Sequence, residues 1–394
     1  SHGHDTDEER TGMLYGYAGK ILHVDLTEGT LEVEEPSEEF YRTYMGGSAI
    51  GLYYLLKNTP AGADPLGPEN TLTFAIGGVT GAAISGQSRA TAVAKSPLTD
   101  AVGDAQAGGF WPAELKFAGF DGIVFTGKSP KPVYLWIKDG ECELRDAAHL
   151  WGHGYSTRQV VEILFEEHDD KRLQIAQVGP AGEKLVRFSA IMNMANRAHG
   201  RTGMGAVMGS KNLKAVVVRG SSKKLPVADK ERLRELMKAA RPLLDDMGDF
   251  PKLGTPGIVQ AQDEDGGLPT RNWTRGSMGA ERAKKISGET LWDEYLRGWE
   301  EGTQFKTGRD TCYSCAVKCK RVVESEWKGH KLEPEAGGPE YEGISALGSY
   351  NEIEDMGAVT YMNQLCNDYG VDPISAGATM AFAVECFERG LITT

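Results

Sequence analysis

The sequence lacks a long apolar run, an excess of basic charge and a large set of cysteines. None of its 394 residues belongs to a stretch approaching the roughly 20 apolar residues of a membrane-spanning helix. Asp and Glu outnumber Lys and Arg by 56 to 43, giving a net charge of −13, whereas a nucleic-acid partner requires a basic face. We therefore expect no membrane insertion and no nucleic-acid partner.

Six cysteines, three of them isolated at Cys142, Cys366 and Cys386, do not form the pattern of an extracellular disulfide framework. The first ten residues are polar and acidic, without the basic start and apolar run of a signal peptide. These features predict a disordered tail over residues 1–12 and a cytoplasmic protein in a reducing environment.

The two halves of the sequence have different patterns of apolar and turn residues, and together these patterns predict an α+β fold. The first half, residues 13–220, is predicted to be β-rich, with a hairpin at residues 22–33 and further strands at 71–76, 122–126, 133–137, 173–178, 184–188 and 215–219. The second half, residues 221–394, is predicted to be helical, because residues 228–247 are amphipathic at helical spacing. Asp372 and Pro373 then mark the start of a last helix, and Gly390 marks its end.

Three cysteines, Cys312, Cys315 and Cys319, form a C-x2-C-x3-C run within eight residues. Thiolates at this spacing can bind three irons of one cubic iron–sulfur cluster. Zinc remains the alternative, although the second C-x2-C or paired histidines that would complete four ligands are not adjacent to the run. The run places electron transfer first among the functions to consider.

Fifty glycines are roughly twice the usual share of about 7%, and many fall in two segments. The first segment, residues 76–109, contains Arg89, and the second, residues 178–211, contains Arg201. Backbone amides without side chains can approach anionic oxygens, and an arginine can bind a phosphate through two hydrogen bonds. Each segment predicts either a phosphate site or a set of turns between strands.

These segments and the cysteine run together resemble the tungsten- and molybdenum-containing aldehyde ferredoxin oxidoreductase family. The resemblance extends from about Tyr15 to the end and rests on residues 16–26, 95–99, 178–183, 203–213 and the cysteine run followed by residues 338–342. It implies one tungsten or molybdenum held by two pterins on a base of two β-sheets, with a [4Fe-4S] cluster beside it. The glycine-rich segments would then serve one pterin each.

The resemblance also implies roles for individual residues. Arg89 and Arg201 correspond to phosphate-binding arginines, and the carbonyls of Gln106 and Thr202 to ligands of a Mg²⁺ ion that links the pterin phosphates. Asp372 is either a helix cap alone or a cap that also contacts a pterin. The full set implied to bind cofactor is Arg89, Gln106, Ala107, Gly108, Arg201, Thr202, Gly203, Asn367 and Asp372.

Two glutamates after the cysteine run are the candidate catalytic groups. A glutamate in a dry pocket has a pKa raised toward neutrality and can exchange a proton with an aldehyde hydrate. Glu342 is the first choice and Glu340 the second, while loop carboxylates bonded to backbone are the alternative.

Members of the family are longer, so we expect a fragment whose site is completed by a further C-terminal segment or a second chain. The fourth cluster cysteine would lie there, because Cys366 and Cys386 occur in helical context as core residues. Three functions remain open: oxidation of an aldehyde with ferredoxin or another electron-transfer subunit as acceptor, reduction of an aromatic acyl thioester, and a non-catalytic iron–sulfur or zinc module.

Overall fold

The structure is a computed structural model that describes residues 14–393. The tail predicted for residues 1–12 lies outside the described residues. Within them the chain has a mixed α+β fold, with twelve strands and six α-helices before residue 220 and nine α-helices and four short strands after it. The predicted fold class is therefore confirmed.

The strands are β1 (Ile21–Asp25), β2 (Thr30–Glu34), β3 (Leu72–Ile76), β4 (Ala90–Lys95), β5 (Val102–Ala107), β6 (Gly122–Thr126), β7 (Val133–Lys138), β8 (Glu141–Asp146), β9 (Gln174–Val178), β10 (Ile191–Asn193), β11 (Arg197–His199), β12 (Leu213–Arg219), β13 (Arg309–Asp310), β14 (Lys320–Arg321), β15 (Ser325–Trp327) and β16 (His330–Leu332). The helices are α1 (Glu38–Tyr44), α2 (Gly47–Asn58), α3 (Trp111–Phe117), α4 (Thr157–His168), α5 (Pro180–Glu183), α6 (Met204–Ser210), α7 (Lys230–Asp245), α8 (Phe250–Leu253), α9 (Val259–Glu264), α10 (Ala280–Lys285), α11 (Gly288–Glu294), α12 (Gln304–Thr307), α13 (Tyr341–Leu347), α14 (Met356–Tyr369) and α15 (Pro373–Glu388).

Two six-stranded sheets form the first half. Their strand orders are β2-β1-β6-β3-β4-β5 and β11-β10-β9-β12-β7-β8. The predicted hairpin is confirmed, since β1 and β2 pair antiparallel. One apolar core contains residues of both sheets, and the Trp111 indole of α3 donates a hydrogen bond to the Val216 carbonyl of β12 at 3.1 Å. The packed sheets give the first half a rigid base.

The prediction of a strand at residues 184–188 is wrong. This segment is a turn that follows α5, with Leu185 in the left-handed region at φ 58°. The Val186 amide donates back to the Ala181 carbonyl at 2.9 Å, which closes the end of the helix. Because apolar residues at alternating positions also occur in such caps, the pattern alone did not distinguish the two.

Both helices predicted in the second half are confirmed. The Asp229 carboxylate accepts from the Arg232 amide at 2.8 Å and starts α7. Asp372 caps α15, Pro373 is its first residue, and Gly390 follows its end with φ 69°. Among the helices of residues 14–393, none combines the length and the apolar composition that crossing a bilayer requires.

Direct contacts join the two halves. Arg158 of α4 binds Asp368 of α14 through two hydrogen bonds of 2.8 and 2.9 Å. The Ala190 amide also donates to the carbonyl of Gly370, which ends α14, at 2.8 Å. These contacts hold α14 and the start of α15 against the second sheet.

Candidate cofactor site

A cavity of about 470 Å³ lies between the halves, a size typical of ligand pockets. It is bounded by β5, the segment after β10, the cysteine run and the first turns of α13 and α15. Most of the predicted site residues line it: Arg89, Gln106, Ala107, Gly108, Arg201, Cys312, Cys319, Glu340, Glu342, Asn367 and Asp372. Residues almost 300 positions apart in sequence thus meet in one cavity.

The cysteine run forms a loop, here called the cysteine loop (residues 312–319), that is fixed to the first sheet. The Gly109 amide donates to Cys312 Sγ at 3.2 Å, and the Tyr313 amide donates to the Gly109 carbonyl at 3.1 Å. All six cysteines lie in the described residues and are free thiols. Within residues 14–393 no three His, Cys, Asp or Glu side chains converge on one metal-ion position.

Two cations, the buried Lys320 and the partly buried Arg197, lie beside this loop. Lys320 is buried and donates to the Gly338 carbonyl at 3.0 Å. Arg197 donates to the Asp310 carboxylate at 2.9 Å and to the Thr311 carbonyl at 3.1 Å, next to Cys312. Positive charge at these positions would offset the negative charge of a cluster held by thiolates.

Of the cations that follow or interrupt the cysteines, only Lys320 lines the cavity. Lys318 is exposed and lies outside its lining. Arg321 is buried and donates to the carbonyls of Lys252 and Lys318, and its burial lowers its pKa to about 10. Arg197 also lines the cavity but was not predicted. It lies four residues before Arg201 in the sequence, and this spacing matches no known motif.

Gly108 leaves room for a thiol. A Cβ atom at this position would lie 2.9 Å from Cys312 Sγ, closer than side-chain carbons approach other atoms. The Gly108 carbonyl also accepts from the side-chain Nδ2 of Asn193 at 3.0 Å, so the backbone cannot move away without losing that bond. The absence of a side chain and the N–H donor at Gly109 both fit a cysteine that serves as a cluster ligand.

We therefore expect Gly108→Ala to displace Cys312 and to lower the iron content of the protein by more than half. Iron per chain, measured on protein purified without air, checks this. Gly77→Ala is the matched control, because its nearest neighbour would be 3.8 Å from the new Cβ. Equal iron in both variants would show that Cys312 does not need this space.

The two predicted arginines make few side-chain contacts within the described residues. Arg89 is exposed and forms no hydrogen bond or ion pair there. Arg201 is 57% exposed, and its nearest acidic partner is Asp372, with 3.7 Å between Nε and Oδ2. Both guanidinium groups are thus available for an anion such as a phosphate.

Thr202 and Gly203 make backbone contacts with Ser96 and Arg187 that the sequence did not reveal. Thr202 adopts φ 64°, and its carbonyl accepts from the Ser96 hydroxyl at 2.8 Å, leaving one lone pair for a cation. A Cβ on Gly203 would lie 2.0 Å from the Arg187 carbonyl oxygen. Gly203 therefore permits close packing at the start of α6, and Gly209 does the same where α6 meets α5.

Asp372 and Asn367 hold the start of α15 and the end of α14 at the cavity wall. Asp372 accepts from the amides of Ile374 and Ser375 at 3.1 and 3.2 Å, so the predicted cap is confirmed. Asn367 donates to the Ala336 carbonyl at 2.8 Å, which fixes the chain ahead of α13. Both line the cavity while keeping these structural bonds.

The two candidate glutamates differ in environment. Burial favours the neutral form of Glu340, but Lys320 at 3.3 Å and the Thr255 hydroxyl at 2.5 Å hold its pKa below the usual range. The expectation that Glu340 has the raised pKa of a catalytic acid is therefore wrong. Glu342 lies in the first turn of α13 and lines the cavity, but it is exposed, so the described residues do not form the dry pocket expected around it.

Cys366 packs in the apolar core of the second half, and burial raises the pKa of its thiol to about 12. Cys386 is half-buried on α15 and lies outside the cavity lining. The structure thus gives Cys366 the core position expected for it.

Asn363 of α14 is a cavity residue that the sequence did not indicate. It is buried, and within the described residues its Nδ2 has no hydrogen-bond partner. An unpaired buried donor in a cavity wall fits a polar ligand.

Comparisons with known proteins show the family to which the chain belongs. The family model for the aldehyde ferredoxin oxidoreductase N-terminal domain matches residues 21–220, and the model for domains 2 and 3 matches residues 232–394. The tungsten-containing aldehyde ferredoxin oxidoreductase of Pyrococcus abyssi is 43% identical over 96% of this chain and 60% of its own length. The aliphatic sulfonate oxidoreductase WOR-like subunit of Pyrococcus furiosus is 33% identical over 96% of this chain and 61% of its own length.

The active-site complex BamBC of benzoyl coenzyme A reductase, solved with 1,5-dienoyl-CoA, has a similar structure. Its TM-score is 0.81 at 30% identity, covering 97% of this chain and 57% of that chain. This chain spans about 60% of the length of the curated tungsten-containing relatives it matches. On the two family models and these identities, the chain belongs to the aldehyde ferredoxin oxidoreductase family.

Proposed function

We propose that this chain supplies most of the cofactor site of an enzyme that oxidises an aldehyde to a carboxylic acid. The reaction takes up one water and releases two electrons and two protons. The electrons would leave one at a time through a [4Fe-4S] cluster to a ferredoxin or another electron-transfer subunit. The observation that carries the proposal is the single cavity that brings together the cysteine loop, the exposed arginines Arg89 and Arg201, and Glu342.

The residues of the cavity fit a bis-pterin tungsten or molybdenum cofactor. When bound, this group would polarise the aldehyde carbonyl and accept its two electrons. Arg89 and Arg201 would bind the pterin phosphates at opposite glycine-rich segments, and the Gln106 and Thr202 carbonyls would face the Mg²⁺ ion between them. Thr202 is suited to this because Ser96 orients its carbonyl.

Glu342 would hold and release the proton at its carboxylate oxygen. It is the better placed of the two glutamates, because Glu340 is engaged as a carboxylate by Lys320 and Thr255. The three loop cysteines would bind three irons, with Arg197 and Lys320 offsetting the cluster charge. A fourth ligand and the cover over Glu342 would come from a further segment or a second chain.

Reduction of an aromatic acyl thioester is the competing function. The structural similarity to the benzoyl coenzyme A reductase complex supports this competing function. Identity of 43% to a tungsten-containing aldehyde ferredoxin oxidoreductase, against 30% to that complex, favours aldehyde oxidation.

Reduction of a viologen dye by the protein purified without air tests the proposal. We expect aldehyde-dependent reduction in the native protein and a kcat lower by about 10²- to 10⁴-fold in Glu342→Gln, because a positioned proton acceptor is lost. Glu326→Gln is the control, because Glu326 is exposed on β15, and it should retain the native rate. The competing function would be favoured if the dye were reduced with the product of the thioester reaction as electron donor, but not with any aldehyde.

A further inference from the structure

Two arginines face each other where the chain enters and leaves the cysteine loop. Strand β13 precedes the loop, β14 follows it, and the two strands pair antiparallel with Arg309 directly opposite Arg321. Directly opposite residues place their side chains on the same face of a strand pair, where two like charges are destabilising. This arrangement therefore has an electrostatic cost that another group must offset.

Arg321 is buried, with only 1% of its surface exposed. Its guanidinium donates to the backbone carbonyls of Lys252 and Lys318, the second at 2.6 Å. Among the residues that the structure describes, no carboxylate lies within 4.0 Å of it, and its buried Nε has no hydrogen-bond partner. Buried charges are normally paired with an opposite charge, so Arg321 lacks a close counter-ion.

Arg309 does not supply that counter-ion and adds to the positive charge. The Pro251 carbonyl accepts from Arg309 at 3.0 Å and from Arg321 at 3.4 Å, so both guanidinium groups converge on one neutral acceptor. The carboxylate that acts on Arg321 from further away is Glu340, and Lys320 already engages it at 3.3 Å. The described residues around the two arginines thus leave net positive charge in the interior.

This charge lies beside the last cysteine of the loop. A Cβ on Gly254 would be 2.6 Å from the Cys319 carbonyl oxygen and 3.2 Å from Arg321 Nε, so the cysteine backbone and the guanidinium flank the same glycine. Lys318, whose carbonyl accepts from Arg321, is the loop residue just before Cys319. The guanidinium is therefore held at a fixed place next to a candidate cluster ligand.

We infer that Arg321, with Arg309 opposite it, is the fixed counter-charge that sets the reduction potential of the iron–sulfur cluster. The inference rests on the proposed function for the presence of that cluster. The oxidised cluster accepts one of the two electrons that aldehyde oxidation releases and becomes more negative by one unit. A positive charge fixed nearby in a medium of low dielectric constant favours this reduced form, which raises the potential. Arg321 acts as a positioning residue, since it binds neither substrate nor iron.

Three variants at the two arginines test the inference. Arg321→Met removes the charge, Arg321→Lys keeps the charge without the planar fork, and Arg309→Gln removes the charge of the less buried partner. Arg172→Gln is the matched control, because Arg172 is 76% exposed and contacts Asp170. The midpoint potential is measured on protein purified without air, by following the low-temperature paramagnetic signal during a redox titration. Iron per chain is measured on the same samples.

At the native midpoint potential, we expect the ratio of reduced to oxidised cluster to fall about tenfold in Arg321→Met, which is a potential lower by about 59 mV. The ratio should fall about threefold in Arg309→Gln. It should change less than twofold in Arg321→Lys, which restores the charge, and in Arg172→Gln, whose charge is screened by solvent.

An unchanged ratio in both Arg321→Met and Arg309→Gln would overturn the inference, and Arg309→Gln alone decides if Arg321→Met retains no iron. A fall in Arg321→Lys as large as that in Arg321→Met would also overturn it, because the role would then lie in the hydrogen bonds. The expected shifts without any aldehyde-dependent dye reduction would support the inference and contradict the proposed function. Unchanged ratios with aldehyde-dependent dye reduction intact would contradict the inference alone.

Discussion

Replacing Cys315 with alanine is expected to abolish the low-temperature paramagnetic signal of the reduced protein. The structure holds the cysteine loop rigidly, and the Thr311 hydroxyl donates to the Cys315 carbonyl at 2.6 Å, so no other thiol can move into this position. Cubic clusters are held by cysteine thiolates, and this variant removes one of the three that the loop supplies, so we expect the cluster to be lost. Iron analysis should accordingly show a loss of most of the iron per chain.

Cys386→Ala is the matched control, since Cys386 is half-buried on α15 and lies outside the cavity. It should keep both the signal and the iron. A signal unchanged in Cys315→Ala, or stoichiometric zinc in the native protein, would contradict the cluster assignment.

Replacing Arg89 or Arg201 with alanine is expected to lower the tungsten or molybdenum content together with the pterin content. Each guanidinium is available for a phosphate, and a charge-assisted contact contributes about 1.5–3 kcal/mol, or roughly ten- to hundredfold in affinity. The Arg201 variant should also lose the 3.7 Å contact with Asp372, but the Asp372 cap does not depend on it. Metal and pterin are measured on the same sample.

The control for the arginines is Arg232→Ala. Arg232 is 67% exposed, contacts Glu235 on α7 and is not among the residues that line the cavity. Full metal occupancy in all three variants would show that Arg89 and Arg201 have only surface roles.

Local sequence signals predicted the helices and strands whose ends are set by residues nearby in the sequence. The β1–β2 hairpin, α7 and α15 each have their turn or cap residues within a few positions, as Asp229 and Asp372 illustrate. The cysteine run was predicted from its own spacing and the two arginines from the glycine-rich segments. The family resemblance added the other site residues, and most of the whole set line one cavity.

Features that depend on contacts distant in sequence were not predictable. Arg197 becomes a cavity residue only because β11 lies beside the cysteine loop more than 100 residues later. The close packing at Gly203 depends on the Arg187 carbonyl, and the engagement of Glu340 depends on Thr255.

An inventory of metal and pterin in the native protein, purified without air, tests the account most directly. The account predicts one tungsten or molybdenum with two pterins and about four irons per site. Zinc in place of iron, or iron without any tungsten, molybdenum or pterin, would contradict it.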